Sequence, residues 1–131
     1  TRRFVQALRV LEFDVQSKDF DFIGSQTAIG EYAYRNGIPS PLLDKLQAVM
    51  EELFQMVIIQ PAEQHKMHIS FEYNNKEHYL TGEVRFSGPR VDPDDPMYFF
   101  SWPLIVMRAS EVELDELDED GYTNLVHLKL E

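Results

Sequence analysis

The chain has 131 residues, of which 44% are hydrophobic and 27% charged, so it can bury one core, and we expect a single domain spanning residues 1–131. It contains no cysteine, which excludes disulfide bonds and thiolate chemistry. Its 23 acidic and 12 basic residues give a net charge of −11 at pH 7, which opposes binding to nucleic acid and to anionic membranes. We therefore expect neither nucleic acid nor a membrane as a partner.

The first residue and the lengths of the apolar runs indicate whether the chain is a fragment and whether it contains a membrane span or a signal peptide. It begins at Thr1 rather than at a methionine, so we expect it to be a fragment of a longer chain. No apolar run approaches the roughly 20 residues of a membrane span, and no signal-peptide core follows the first residues.

The first half of the chain predicts one strand and two helices. Residues 8–15 alternate between two faces, which predicts a strand with one better-buried face. Asp19 or Asp21 is placed to cap a helix that stops at Gly37. A second helix follows, in which apolar residues recur at spacings of three and four until Pro61 ends it.

In the second half the period changes from about 3.6 to 2. Alternation over residues 67–73 and 79–86, with a turn at 74–77 between them, predicts a β-hairpin. A loop rich in proline and aspartate follows. Residues 99–109 then form a short, mostly apolar helix.

Two further strands, residues 111–117 and 122–130, flank an acidic turn that ends at Gly121. The predicted order is therefore β-α-α-β-β-α-β-β. This order favours an α+β fold, a two-layer α/β sandwich in which about three helices cover one face of a mixed, mostly antiparallel sheet.

Four landmarks in this order and spacing resemble one known family. Glu51 is followed four residues later by Gln55, where the family places a Glu and an Asn. Residues 84–93 resemble its stretch with Asp, two glycines, Phe, Asp and Pro. Residues 104–105 fit the segment after its glycine-rich box, and residues 111–130 resemble its final hairpin with a Gly-Thr step. The chain thus resembles the histidine-kinase-like ATPase (GHKL) fold, in the branch of bacterial anti-sigma-factor serine kinases.

The resemblance implies roles for four residues. The family binds Mg-ATP between a helix and a sheet face, so Glu51 would be the general base and Gln55 would offer its amide oxygen to Mg²⁺. Gly88 and Thr123 would belong to the same remnant nucleotide site. The resemblance also implies a cytoplasmic protein with a protein partner, and a possible homodimer.

Departures from the family pattern predict lost or weakened ATP binding. Phe86 stands where the family has the Asp that accepts a hydrogen bond from adenine, and Arg90 replaces one motif glycine. Residues 92–104 contain no glycine, carry three aspartates and four large aromatic residues, and are too short for a typical lid. Pro103 also lacks an amide donor.

We therefore expect a non-catalytic, ATPase-like regulatory or protein-interaction domain in bacterial signal transduction, without a cofactor. The alternative is an active, ATP-dependent serine kinase or ATPase that uses Mg-ATP, with Glu51 as its base. A third interpretation is a sensory module that binds another small ligand near Phe86, Arg90 and Trp102.

Several residues keep a structural interpretation beside the functional one. Glu51 and Gln55 also fit the polar flank of an amphipathic helix, and Thr123 also fits an ordinary strand start. Of the histidines, His65, His68 and His78 are weighed as metal ligands and as structural residues, and we expect no metal site. The acidic run over 111–120 lacks the register of a calcium-binding loop and suits a solvated face or a basic partner.

The aromatic residues within 97–102 are the most distinctive local feature of the chain. Such a cluster either fills a core, here in the space of a nucleotide, or forms a binding surface for a protein partner.

Overall fold

The computed structural model describes residues 10–17, 22–60 and 65–131, and these form one antiparallel sheet with three helices packed on it. The strands are β1 (Val10–Ser17), β2 (His65–Asn74), β3 (Tyr79–Phe86), β4 (Glu111–Glu119) and β5 (Tyr122–Leu130), and the helices are α1 (Phe22–Asn36), α2 (Ser40–Ile58) and α3 (Ser101–Arg108). A 3₁₀ turn at Pro96–Tyr98 precedes α3. The expected α+β, two-layer sandwich is confirmed.

The strand order in the sheet is β1-β2-β3-β5-β4, and every described pair is antiparallel. β1 continues to Ser17, two residues beyond its predicted end at Val15, and α3 begins at Ser101 because a 3₁₀ turn forms first. The predicted strand residues 8 and 9 lie outside the described residues. The predicted capping residues Asp19 and Asp21, and the predicted helix stop at Pro61, lie outside the described residues.

The core lies between the helices and one face of the sheet. α2 supplies its centre, since Leu46, Met50 and Leu53 are fully buried. β2 and β5 each bury every second residue against the helices. Gly82 leaves room for Phe71, because a Cβ at this glycine would lie 2.3 Å from the Phe71 ring.

The other face of the sheet points away from the helices, and we call it the open face. The register places alternate residues of every strand on it, and many of them carry an ionisable group. Its acidic, basic and histidine members are Glu12, Asp14, Lys66, His68, Glu72, Glu83, Arg85, Glu111, Glu113, Asp115, His127 and Lys129.

The third helix, α3, packs mainly against α2 and also contacts β4. Its inward side carries Ser101 and Ile105, which are 8% and 0% exposed. Among the residues that the structure describes, no helix is long and apolar enough to cross a membrane.

Candidate functional site

The predicted general base, Glu51, and the predicted magnesium ligand, Gln55, lie on the outer side of α2. Glu51 and Gln55 are both exposed, one turn apart. Glu51 borders a shallow depression of about 410 Å³, whose other lining residues come from α1 and the first half of α2. They are Phe22, Gln26, Asp44, Gln47 and Ala48. Gln55 does not line this depression.

Phe86 ends β3 and faces the helices. Its side chain is 0% exposed, and its strand partner on β5 is Asn124. The ring is therefore part of the core at the position where the resemblance places an adenine-binding carboxylate. A phenyl ring accepts no conventional hydrogen bond, so this position offers packing and no recognition of an adenine amino group.

Two side chains of β5 bind the segment that follows β3, and we call this pair, Thr123 and Asn124, the loop clamp. The Thr123 hydroxyl donates to the Gly88 carbonyl oxygen. Asn124 donates from Nδ2 to the Pro89 carbonyl oxygen at 3.0 Å and accepts from the Val91 amide at 2.8 Å. The Thr123 hydroxyl proton is thus used within the protein, and the loop is held against the sheet.

Asn124 was not predicted from the sequence, although a signal for it exists. The inward positions of β5 are otherwise apolar or aromatic, and Asn124 is 1% exposed among them. A buried amide needs hydrogen-bond partners, so a lone Asn in such an alternation indicates a contact with backbone nearby.

Gly88 lies against Gln60, at the C-terminal end of α2. Its φ is +103°, and a Cβ added there would stand 2.1 Å from the Gln60 Oε1. Gln60 is 3% exposed, and its Nε2 lies 3.4 Å from the Tyr98 hydroxyl. Within the described residues its Oε1 has no hydrogen-bond partner. The glycine therefore serves close packing between the loop and α2.

The aromatic segment over 97–102 divides between core and solvent. Tyr98 is 4% exposed, and Trp102 is partly buried against the core. Phe99 and Phe100, in contrast, are 57% and 85% exposed. Tyr98 and Trp102 thus pack against the core, whereas Phe99 and Phe100 face solvent.

The charged residues around this segment already have partners within the protein. The Arg90 guanidinium lies 2.8 Å from the Glu116 carboxylate. Asp92 accepts a hydrogen bond from the Asp94 amide at 3.0 Å, and Asp95 accepts one from the Met97 amide at 3.0 Å. The two aspartates that accept these bonds shape the loop and the 3₁₀ turn.

The histidine on β2 sits between two carboxylates of β1. The His68 Nε2 lies 3.1 Å from Glu12 Oε1, and its Nδ1 lies 2.6 Å from Asp14 Oδ1. Because the two acids approach opposite edges of the ring, they do not converge on a common cation. Across residues 10–17, 22–60 and 65–131, no group of three or more His, Asp or Glu side chains is arranged to hold a metal ion.

The same arrangement recurs on the open face nearer the β4 edge of the sheet. The His127 Nδ1 lies 3.4 Å from Glu83 Oε1, and its Nε2 lies 3.3 Å from Asp115 Oδ2. Sequence reasoning did not single out His127, because Glu83 on β3 is far from the β4–β5 hairpin along the chain. Of the other histidines, His78 lies 3.1 Å from the Tyr73 hydroxyl.

The open face also contains a depression of about 650 Å³, away from Phe86 and the helices. It is lined by Val10, Ser70, Glu72, Thr81, Gly82, Glu83, Glu111, Val112, Glu113, His127, Leu128 and Lys129. Four carboxylates border it, so its local charge matches the acidic balance of the whole chain.

Tyr122, at the start of β5, lies close to Asp14 and Lys66, and its pKa is raised. Burial raises the pKa of its phenol, and the neighbouring Asp14 carboxylate raises it further. The Lys66 ammonium lies 4.2 Å from the centre of the ring and also donates to the Asp120 carbonyl oxygen. These contacts bind the β4–β5 turn to β2.

Comparisons with known proteins identify no family for this chain. No protein-family model matches it, and no curated protein matches it either.

Proposed function

We propose that this chain is a non-catalytic, histidine-kinase-like ATPase domain that works as a regulatory, protein-interaction module in bacterial-type cytoplasmic signalling. The proposal is supported by one observation: the residues that the resemblance assigns to the nucleotide site make packing and hydrogen-bond contacts within the protein. Phe86 is fully buried, Gly88 packs on Gln60, and the Thr123 hydroxyl donates to a backbone carbonyl. These contacts support lost or weakened binding of Mg-ATP.

The phosphate side of the expected site supports the same proposal. Phosphate binding at a helix start uses free backbone amides, usually in a glycine-rich loop, and positive charge. Before α3 the chain instead has Asp94, Asp95 and exposed phenylalanines, and Pro103 in the first turn has no amide hydrogen. The preceding arginine, Arg90, is paired with Glu116.

Isothermal titration calorimetry with Mg-ATP and Mg-ADP tests the proposal. We expect no heat of binding from a folded sample whose circular dichroism shows helix and strand. Binding in the low-micromolar range would overturn the claim of a lost nucleotide site. ATP-dependent phosphorylation that disappears in Glu51→Ala would establish the active kinase instead.

A further inference from the structure

The helix α3 exposes an apolar side that residues 10–17, 22–60 and 65–131 do not cover. It has one charged residue in eight, Arg108 in its last turn. Its inward side packs on α2, yet Met107 on the outer side and Phe100 at the N-cap are 69% and 85% exposed. A helix that is apolar all round is normally buried on all sides.

The exposed residues form one continuous surface. Phe100 precedes α3 as its N-cap in a helical conformation, so at 100° per residue positions 100, 103, 106 and 107 fall within an arc of roughly 120° around the helix axis. Phe99 lies directly before them. Met97 adds to this surface from the preceding 3₁₀ turn and is 45% exposed. We call this surface the α3 apolar face, and it consists of Met97, Phe99, Phe100, Pro103, Val106 and Met107. Aromatic residues and methionine are the types enriched in the centres of protein interfaces.

The charge before the N-terminal end of the α3 apolar face is negative, whereas Arg108 lies at its C-terminal end. Between Arg90 and Arg108 the only charged residues are three aspartates, all exposed, which lie directly before the 3₁₀ turn. They are Asp92, Asp94 and Asp95. Arg90 is paired with Glu116, so it does not balance them.

This negative charge favours one kind of partner for the α3 apolar face over others. A second copy would bring the same aspartates and the same net charge of −11, and an anionic lipid surface would also be repelled. A segment with an apolar side and flanking Lys or Arg residues fits both the exposed phenylalanines and the aspartates. Its apolar side chains bury the phenylalanines, and its positive charges complement the aspartates.

We propose that the α3 apolar face binds a basic, amphipathic helical segment of a partner protein. Phe100 and Met107 pack against the apolar side of that helix, and Asp92 and Asp94 attract its basic flank. The proposal rests on the interaction role proposed above and identifies the chemistry of the partner. Its test is separate from the nucleotide titration, since ATP binding would overturn the earlier proposal and leave the result below unaffected.

The probe is a fluorescein-labelled synthetic peptide of about four helical turns, with Leu at helical spacing on one side and Lys elsewhere. Fluorescence anisotropy measures its binding to the purified chain. Trp102 is the only tryptophan, so its emission reports independently on the neighbourhood of α3. We expect saturable binding that weakens as salt is raised.

Matched variants locate the site. Phe100→Ser is expected to weaken binding about tenfold, since it removes one exposed anchor. Its control is Ile23→Ser on α1, which removes a side chain that is 78% exposed and is expected to leave binding unchanged. Asp94→Asn is expected to weaken binding and reduce its salt dependence, whereas Glu77→Gln in the β2–β3 turn is expected to do neither.

Four outcomes would overturn the proposal. The first is no saturable binding, and the second is an equal loss in Phe100→Ser and Ile23→Ser. The third is a wild-type dimer in sedimentation that Phe100→Ser dissociates, which would assign the face to a second copy. The fourth is cosedimentation with phosphatidylcholine–phosphatidylglycerol vesicles that Phe100→Ser abolishes, which would assign it to a membrane.

Discussion

The buried amide of Asn124 accepts a hydrogen bond from the backbone of Val91 at 2.8 Å, which joins the last strand of the chain to the segment after β3. The same side chain donates to Pro89 at 3.0 Å. One residue therefore satisfies two backbone groups that the sheet itself leaves unpaired.

Asn124→Ala removes both hydrogen bonds and leaves the Val91 amide and the Pro89 carbonyl without this partner. We expect the free energy of unfolding to fall by about 2 kcal/mol. Urea unfolding followed by circular dichroism measures it. The matched control is Asn75→Ala in the exposed β2–β3 turn, for which we expect a change within about 0.5 kcal/mol. Equal losses in the two variants would contradict the loop clamp.

Gly88→Ala introduces a methyl group where Gln60 already stands, at a φ of +103°. We expect a loss of about 3 kcal/mol, which combines backbone strain with the contact. Gly37→Ala, at a φ of +64° with nothing within 4 Å of its added Cβ, isolates the strain and is expected to cost about 1 kcal/mol. In the Gln60→Ala background the cost of Gly88→Ala should decrease. An unchanged cost would show that the two residues do not collide.

Phe86→Ala creates a cavity in the core at the end of β3. We expect a loss of about 3–5 kcal/mol in the free energy of unfolding, since this side chain is fully buried. Phe100→Ala removes the same ring where it is 85% exposed and is expected to change stability by less than about 0.5 kcal/mol. A small effect of Phe86→Ala would mean that the ring is not part of the core.

Tyr122 predicts how stability changes in alkali. Burial and Asp14 raise the pKa of its phenol above the ordinary value of 10.0, so the folded chain holds this proton after the unfolded chain has lost it. The stabilisation is complete below pH 10 and is lost as pH rises through the raised pKa. Tyr122→Phe should make the stability less dependent on pH in this range, whereas Tyr34→Phe, at a ring that is 89% exposed, should not. An unchanged slope in Tyr122→Phe would refute the assignment.

Local patterns account for most of the fold. The alternation over 122–130, bounded by Gly121, matches β5 at both ends, because a strand that buries every second residue has a strict period. The first strand continues two residues beyond its predicted end at Val15, since alternation defines the faces of a strand but not its ends. The start of α3 was also misplaced, because Asp95 caps a 3₁₀ turn before the helix begins.

The candidate site was less predictable, because its contacts join residues far apart in the chain. Asn124 and Val91 are 33 positions apart, and nothing local to either indicates the other. Tyr98 and Phe100 are both aromatic and lie two positions apart, yet Tyr98 is buried and Phe100 is exposed. The contact of Tyr98 with Gln60 is a long-range one that the local sequence does not indicate. The expected resemblance drew attention to Phe86 and Gly88. Their burial and contacts in the structure show that both positions pack against neighbouring residues.

The strand order has a consequence for how this protein stays dispersed. β4 lies at one edge of the sheet, where free backbone groups would otherwise template the strand of a neighbouring copy. Six of its nine residues are acidic, so two such edges repel each other before their backbones meet. We therefore expect the chain to resist fibril growth at this edge at neutral pH, and to become more prone to strand addition when acid neutralises these carboxylates.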